Sequence, residues 1–474
     1  MLTSETVPFS KSGGLADVVG ALSGALSSNN EVSIIMPLYG FINTAVFRQD
    51  GEYEIKMLDK SEKVEVLSRQ VENVTYLALR HPLYTQRNGI YGDSSFSPYS
   101  DNFYRYALMC KTAVKIAGDM QADILHCHDW TAGLACYLAK ESRLSCKTVF
   151  TIHNLAYMGE FPRYDALSAS FRPTEKMLSG TGLTKCFNML KTGVEYADAI
   201  TTVSPTYAQE IQTREQGCGI DDLLRSRNSR LYGIINGIDT EEWNPETDAF
   251  FKDHFSISDL SGKAKLKERA QIQFGLSVEP QKPLIAMISR LAEQKGFGPL
   301  LEGSPCALEQ ILSSDRCQFI IIGTGDKRYE NKLKDIAMKY RNISVNIVFS
   351  QAMSHLVEAA SDFFLMPSKY EPCGLNQMYS LRYGTIPIAH RTGGLNDTIH
   401  DISEGKDKAD GFLFGNVYSD EIVDTVNRAV EFYYSDKEGM KACIINGMKE
   451  DFSWTRSAQQ YEEIYRKTLG GNQL

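Results

Sequence analysis

The sequence predicts an α/β protein built as two doubly wound parallel-sheet (Rossmann-like) domains facing each other across a cleft. Three observations predict it. Short apolar runs of strand length alternate with helix-length amphipathic segments in both halves of the chain. The alternation pauses over a polar stretch at 244–282 and then restarts. Polar or glycine-rich loops follow the apolar runs, at the strand ends where open α/β sheets bind ligands. A chain of 474 residues also exceeds what one core usually organises. The domains read as 1–243 and 244–453, with 454–474 a helix expected to pack back on the first.

In order, residues 1–4 read as the end of a strand, either stubby or trimmed at its start, leading through K-S-G-G-L-A-D-V-V-G into a helix that ends near 28. A strand follows at 31–37, and the charged, alternating segment 52–80 reads as two or more exposed hairpin strands. Residues 99–118 have helical periodicity. A strand at 122–126 ends in H-C-H-D-W, with a helix from Thr131, and a strand at 148–152 ends in His153-Asn154. Residues 155–185 read as a long loop with helical pieces, and 196–203 and 231–235 as strands. The second half predicts strands at 284–289, 318–322, 345–349, 363–366 and 386–389. Helices are expected at 262–274, 328–340, 353–360 and 374–384, and three more fill 419–469.

Composition narrows the function classes. With 43% hydrophobic and 23% charged residues the chain reads as an ordinary soluble protein. Its net charge of -9 argues against a nucleic-acid or anionic-membrane partner. The 10 cysteines include no C-x-x-C pair, and Cys110, Cys136 and Cys186 lie in apolar runs, as reduced intracellular thiols do. The start shows no signal-peptide pattern, and no apolar stretch approaches the roughly 18–20 residues that span a bilayer.

The chemistry concentrates at strand ends. The run 363–366 stops at Pro367 and is followed by Tyr370 and Glu371, then Gly374 and Leu375; the next strand runs into Thr392-Gly393-Gly394. A carboxylate beside glycine-rich amides suits a sugar and a phosphate. Lys11 with Gly13-Gly14 reads either as an anion-binding turn or as a plain tight turn, and Arg290 with Lys295 either as a phosphate clamp or as a solvated pair. Their shared placement, with Asn236-Gly237, favours a diphosphate neutralised by arginine and lysine, since no aspartate-rich loop offers magnesium. His126 and His128 share one side of a strand, but no further ligand pair follows, so no metal site is expected there and Asp129 is the functional candidate.

Taken together these motifs resemble the bacterial-type glycogen (starch) synthases, retaining glucosyltransferases of the GT-B fold. The resemblance runs nearly the whole length, through K-S-G-G-L-A-D-V-V-G-A-L, H-C-H-D-W, T-I-H-N-L-A-Y, A-D-A-I-T-T-V-S-P-T-Y-A and G-I-I-N-G-I-D-T-E-E-W-N-P. It continues through S-R-L-A-E-Q-K-G, Y-E-P-C-G-L-N-Q and R-T-G-G-L-N-D-T. It implies transfer of glucose from a nucleotide sugar, typically ADP-glucose, to the non-reducing 4-OH of an α-1,4-glucan. No metal or organic cofactor is implied, and the location would be the cytoplasm, or the plastid stroma in a plant or alga.

Carried over by position, the resemblance assigns Lys11, Gly13 and Gly14 to the donor phosphates and the glucan side, and Asp17 to the nucleotide region. Asp129, His153 and Asn154 line the glucose and acceptor pocket, with Tyr157 on the acceptor side. Arg290 and Lys295 bind the diphosphate; Glu371 and the amides of Cys373, Gly374 and Leu375 hold the transferred glucose. Thr392, Gly393 and Gly394 add amides to the distal phosphate, and Tyr370 and Asn236 lie near the nucleotide. The chain departs from the family pattern at Ser12, Thr131, Thr192-Gly193 and the G-C-G-I-D of 217–221, none of which removes a charge the transfer needs.

Overall fold

The computed structural model describes residues 1–95, 97–181 and 185–470. They divide into two units, Met1–Gly237 with the segment from Trp454 onward, and Ile238–Ser453. In each, the apolar runs become parallel strands buried on both faces, as a sheet covered by helices on two sides requires.

The first unit contains β1 (Val32–Pro37), β2 (Arg48–Lys56), β3 (Ser61–Val71), β4 (Val74–Arg80), β5 (Ile124–His128) and β6 (Lys147–Ile152). It continues with β7 (Glu160–Pro162), β8 (Leu178–Ser179), β9 (Cys186–Asn188), β10 (Ala199–Thr202) and β11 (Leu231–Gly233). β4 and β1 pair in parallel, as do β5, β6, β10 and β11 in that order. The first residues of the chain join these two sets. Leu2 bridges Ile35 and Cys127, its N–H donating to His126 O at 2.7 Å and its carbonyl accepting from His128 N–H at 3.0 Å. The segment read as a strand is thus an isolated bridge at Leu2, between β1 and β5.

Three readings are corrected. β2 and β3 extend the sheet antiparallel, but β4 is mostly buried and parallel to β1, because V-T-Y-L-A-L offers apolar groups to both faces. The 155–185 stretch holds a small antiparallel sheet, β7-β9-β8, with residues 182–184 of that reading outside the described ones. The strand expected from 196 begins only at Ala199. Met189–Tyr196 is a helix, capped where the Asn188 side chain accepts from Lys191 N–H. The helix Trp454–Thr468 sets Ala458, Tyr461 and Ile464 into the same core as Leu15, Val19 and Leu22 of the helix Gly14–Leu26.

The second unit is one parallel sheet of β12 (Leu284–Ile288), β13 (Gln318–Ile322), β14 (Ile343–Asn346), β15 (Phe363–Met366), β16 (Ile386–His390) and β17 (Phe412–Phe414). Its order is β14-β13-β12-β15-β16-β17. Side chains alternate between faces: Phe363 and Leu365 enter one core, Phe364 and Met366 the other. β17, only three residues long, gave no periodic signal to read. The two central strands, β12 and β15, are neighbours although far apart in sequence, and their loops emerge side by side.

Candidate active site

In the second unit the strand order reverses between β12 and β15, the point beyond which an open α/β sheet binds its ligand. The loop leaving β12 carries Arg290 and Lys295, and the loop leaving β15 carries Tyr370 and Glu371. The loops are laced together: Lys369 N–H donates to Gln294 O at 2.8 Å, and Gln294 Nε2 to Tyr370 O at 3.3 Å. Gly296 has a φ of 79°, and a Cβ there would meet Pro367 O at 1.9 Å, so the approach requires glycine.

Lys295 Nζ lies 2.5 Å from Glu371 Oε2, and Ser368 Oγ donates to the same oxygen at 2.9 Å. Glu371 is only 6% exposed, so it is a buried carboxylate matched by an ammonium and a hydroxyl. An ammonium has three donors, which leaves Lys295 able to hold a second anion. Arg290 is exposed, and among the described residues its guanidinium makes no hydrogen bond or ion pair. Cys373 is buried at the start of the turn that follows. The N–H groups of Gly374 and Leu375 find no acceptor among the described residues.

The glycine turn after β16 behaves differently from the expectation. Gly394 N–H donates to Glu371 O at 3.1 Å and Pro372 O at 3.2 Å, and Thr392 N–H to His390 O at 2.9 Å. These two amides are engaged within the protein and do not stand bare for a phosphate. Gly393 has a φ of 43°, and a Cβ there would lie 2.0 Å from Glu371 O. The turn therefore buttresses the Glu371 loop from behind.

In the first unit the order reverses between the isolated bridge at Leu2 and β5. Lys11, Gly13, Gly14 and Asp17 follow the first of these, at the start of the helix Gly14–Leu26. Lys11 Nζ pairs with Asp17 Oδ1 at 2.7 Å on the surface. Beneath the turn is Glu5, a residue that sequence reading missed because it lies outside the glycine motif. Its carboxylate is 2% exposed and accepts from Ser12 N–H, Gly13 N–H at 3.2 Å, Ser12 Oγ at 3.1 Å and Tyr91 OH at 2.9 Å. Burial pushes the Glu5 carboxyl up, and these four bonds work against the shift. Gly13 N–H is thus held by Glu5, which sets the shape of the turn, and is not the bare amide expected.

Asp129 follows β5 in the left-handed region, φ 55°, a conformation costly for a residue with a Cβ and concentrated at functional sites. The helix Asp129–Glu141 begins there, ahead of the Thr131 expected. Asp129 Oδ1 accepts His153 N–H at 2.8 Å. Desolvation pushes its carboxyl up to about 7, against the N–H groups of His153 and Asn154 that favour the charged form.

His153 Nε2 lies 3.0 Å from His128 Nδ1. Burial lowers His153 to about 3 and His128 well below the usual range, so both rings are neutral at pH 7 and one donates to the other. His128 is therefore the group that orients His153, a role signalled only by its strand-end position. His126 is bonded at both nitrogens, to Tyr465 OH at 2.7 Å and Thr151 Oγ1 at 2.5 Å. Asn154 Oδ1 accepts Ala156 N–H at 3.0 Å, and Tyr157 is exposed. Asn236 is buried, and its Oδ1 accepts no hydrogen bond among the described residues.

Comparison with known proteins identifies the family. Residues 1–226 match the family described as starch synthase catalytic domain, and residues 268–449 that described as glycosyl transferases group 1. The glycogen synthase of Myxococcus xanthus (strain DK1622) is 41% identical, with 98% of each chain covered. The chain belongs to the glycogen and starch synthases. The glycogen synthase of Lactococcus lactis subsp. lactis (strain IL1403) is 38% identical, again with 98% of each chain covered. The solved catalytic domain of starch synthase IV from Arabidopsis thaliana, bound to ADP and acarbose, is 31% identical with a TM-score of 0.86, covering 99% of this chain and 98% of that one. A sucrose-phosphate synthase from Thermosynechococcus elongatus, 16% identical with a TM-score of 0.61 and covering 99% of this chain and 96% of that one, shares the fold. The activity class is glucosyl transfer, on a GT-B scaffold.

In this member of the glycogen and starch synthases the Asp129 carboxyl also makes stability depend on pH. Unfolded, the group ionises near pH 4. Folded, it keeps its proton up to about 7, so the folded state binds the extra proton between those values and loses stability as pH rises through them. Asp129→Asn keeps an acceptor for His153 N–H. It is expected to match the wild type near pH 4 and to exceed it above pH 7 by roughly 2–4 kcal/mol, the lower figure reflecting partial exposure. Thermal melts across that range read the difference, and a constant offset would mean that Asp129 is ionised throughout.

Proposed function

We propose that the protein transfers glucose from ADP-glucose to the non-reducing 4-OH of an α-1,4-glucan, with retention of configuration. The observation that carries this reading is the buried Lys295–Glu371 pair at the β12/β15 reversal, on a loop that also bears the unengaged Arg290. Breaking the glucose–phosphate bond leaves an oxocarbenium-like sugar and a diphosphate. The barrier falls where fixed cations meet the charge building on the leaving group.

Arg290 and Lys295 supply that charge in the proposal, and Lys11 with its glycine turn is an anion-binding candidate of the first unit. Glu371 holds Lys295 in place and, with the Gly374 and Leu375 amides, faces the glucose hydroxyls. The acceptor hydroxyl attacks on the face from which the diphosphate departs, and the departing phosphate takes its proton. Asp17, Asn236 and Tyr370 serve the nucleotide, and Asp129, His153, Asn154 and Tyr157 the glucose and acceptor. Because burial keeps His153 neutral, its part is a hydrogen bond to a sugar hydroxyl and not a positive charge.

The choice of ADP is supported by the Arabidopsis starch synthase IV structure, which is bound to ADP and acarbose. We place the activity in the cytoplasm: all 10 cysteines are free thiols, as in reducing compartments. No described helix is long and apolar enough to cross a membrane.

Incubation with glycogen and an equal mixture of ADP-glucose and UDP-glucose tests the reading. ADP should appear in step with glucose added to the polymer, ahead of UDP. Preferential release of UDP would overturn the donor assignment, and absence of both nucleotides with no polymer growth would reduce the protein to a glucan-binding one.

A further inference from the structure

A cluster outside this site has the chemistry of a metal centre. His400, Asp410 and Glu450 each bring one ligand-type atom to within 4.8 Å of the other two. Two ligands about 2.1 Å from one ion lie at most about 4.2 Å apart, so small side-chain rotations would close the set. Asp410 is 0% exposed, and its Oδ2 has no hydrogen-bond partner among the described residues. Neither Asp410 nor Glu450 pairs with a lysine or arginine among the described residues. A buried carboxylate oxygen without a donor, beside a second carboxylate, is costly while ionised, and either a proton or a cation relieves it.

The surroundings hold the three residues in place. Asp410 Oδ1 accepts His400 N–H at 2.7 Å, and Glu404 Oε2 lies 3.2 Å from His400 Nδ1, the carboxylate contact that commonly steadies a ligating imidazole. Asn446, on the helix Lys437–Lys449, donates to Lys406 O and Ala409 O, each at 2.9 Å, which ties the 400–411 loop to that helix. Glu450 follows the helix directly. Two residues later Phe452 O accepts Ile238 N–H at 2.8 Å, where the chain enters and leaves the second unit.

We propose that His400, Asp410 and Glu450 bind a first-row divalent cation of the zinc class, which pins the 400–411 loop to the end of the Lys437–Lys449 helix. One imidazole and two carboxylates suit zinc, and the half-exposed His400 and Glu450 leave room for water to complete four-coordination. The site supports the structure and takes no part in glucosyl transfer.

The test uses the full chain, stripped with EDTA and titrated with zinc ion alone by calorimetry and by thermal melting. The wild type should bind one zinc per chain and melt at a higher temperature when loaded. Because His400 and Glu450 are half-exposed, His400→Ala and Glu450→Gln should fold, bind zinc at least about 100-fold more weakly and show no rise in melting temperature, a loss beyond what an outer-shell change causes. A wild type that binds no stoichiometric zinc, or variants that bind it as the wild type does, would overturn the proposal.

Discussion

Arg290→Ala and Lys295→Ala are each expected to lower kcat by about 10²–10³, the cost of removing one preorganised group aimed at developing charge. The two should fail in different ways. Arg290 is exposed and its guanidinium makes no hydrogen bond or ion pair among the described residues, so folding should be unchanged and the deficit should fall on the chemical step and on diphosphate affinity. Lys295 has a second duty, since its ammonium is the partner of Glu371 at 2.5 Å. Its removal strands a carboxylate that is 6% exposed, so Lys295→Ala should also melt at a lower temperature. Lys295→Met would leave the same deficit, whereas Arg290→Lys should recover part of the rate by restoring charge without the fork. Steady-state assays with glycogen in excess read the effect, and near-wild-type rates in either alanine variant would remove that residue from the mechanism.

Glu371→Gln is expected to fold and yet to lose about 10²-fold in kcat, the scale of a misplaced reacting group. The amide keeps the size of the carboxylate and can still accept from Ser368 Oγ, but it offers the Lys295 ammonium no opposite charge. The lysine is then held less firmly, and the position of its charge and the proposed contact of Glu371 with glucose both change. The Glu371 backbone carbonyl continues to accept Gly394 N–H, so the loop itself should keep its path. Equal loss of kcat in Glu371→Gln and Lys295→Ala, with no further loss in the double variant, would show that the pair acts as one unit. Full activity in Glu371→Gln would separate the buried carboxylate from the reaction.

Much of this was legible in the residues. The runs at 318–322 and 363–366 became strands with those bounds, because F-I-I-I and F-F-L-M have no polar position and must be covered on both faces. The charged groups Arg290, Lys295 and Glu371 fall on adjacent loops because strand ends in a parallel sheet all deliver their loops to one edge. What stayed hidden depends on distance in sequence. Glu5 holds the Ser12-Gly13 turn from seven residues upstream, and its partner Tyr91 comes from another loop altogether. The left-handed backbone of Asp129 and the His128–His153 contact are set by neighbouring strand ends that no local periodicity reports. Gly394 misled for a related reason. A bare glycine amide and one already bonded to the Glu371 carbonyl look the same in a sequence.

A crystal structure of the chain with ADP bound would locate the diphosphate. The diphosphate is expected within hydrogen-bond distance of both Arg290 and Lys295, with Glu371 flanking the position its glucose would occupy. A diphosphate held elsewhere, with Arg290 left in solvent and Lys295 bonded to Glu371 alone, would contradict that placement.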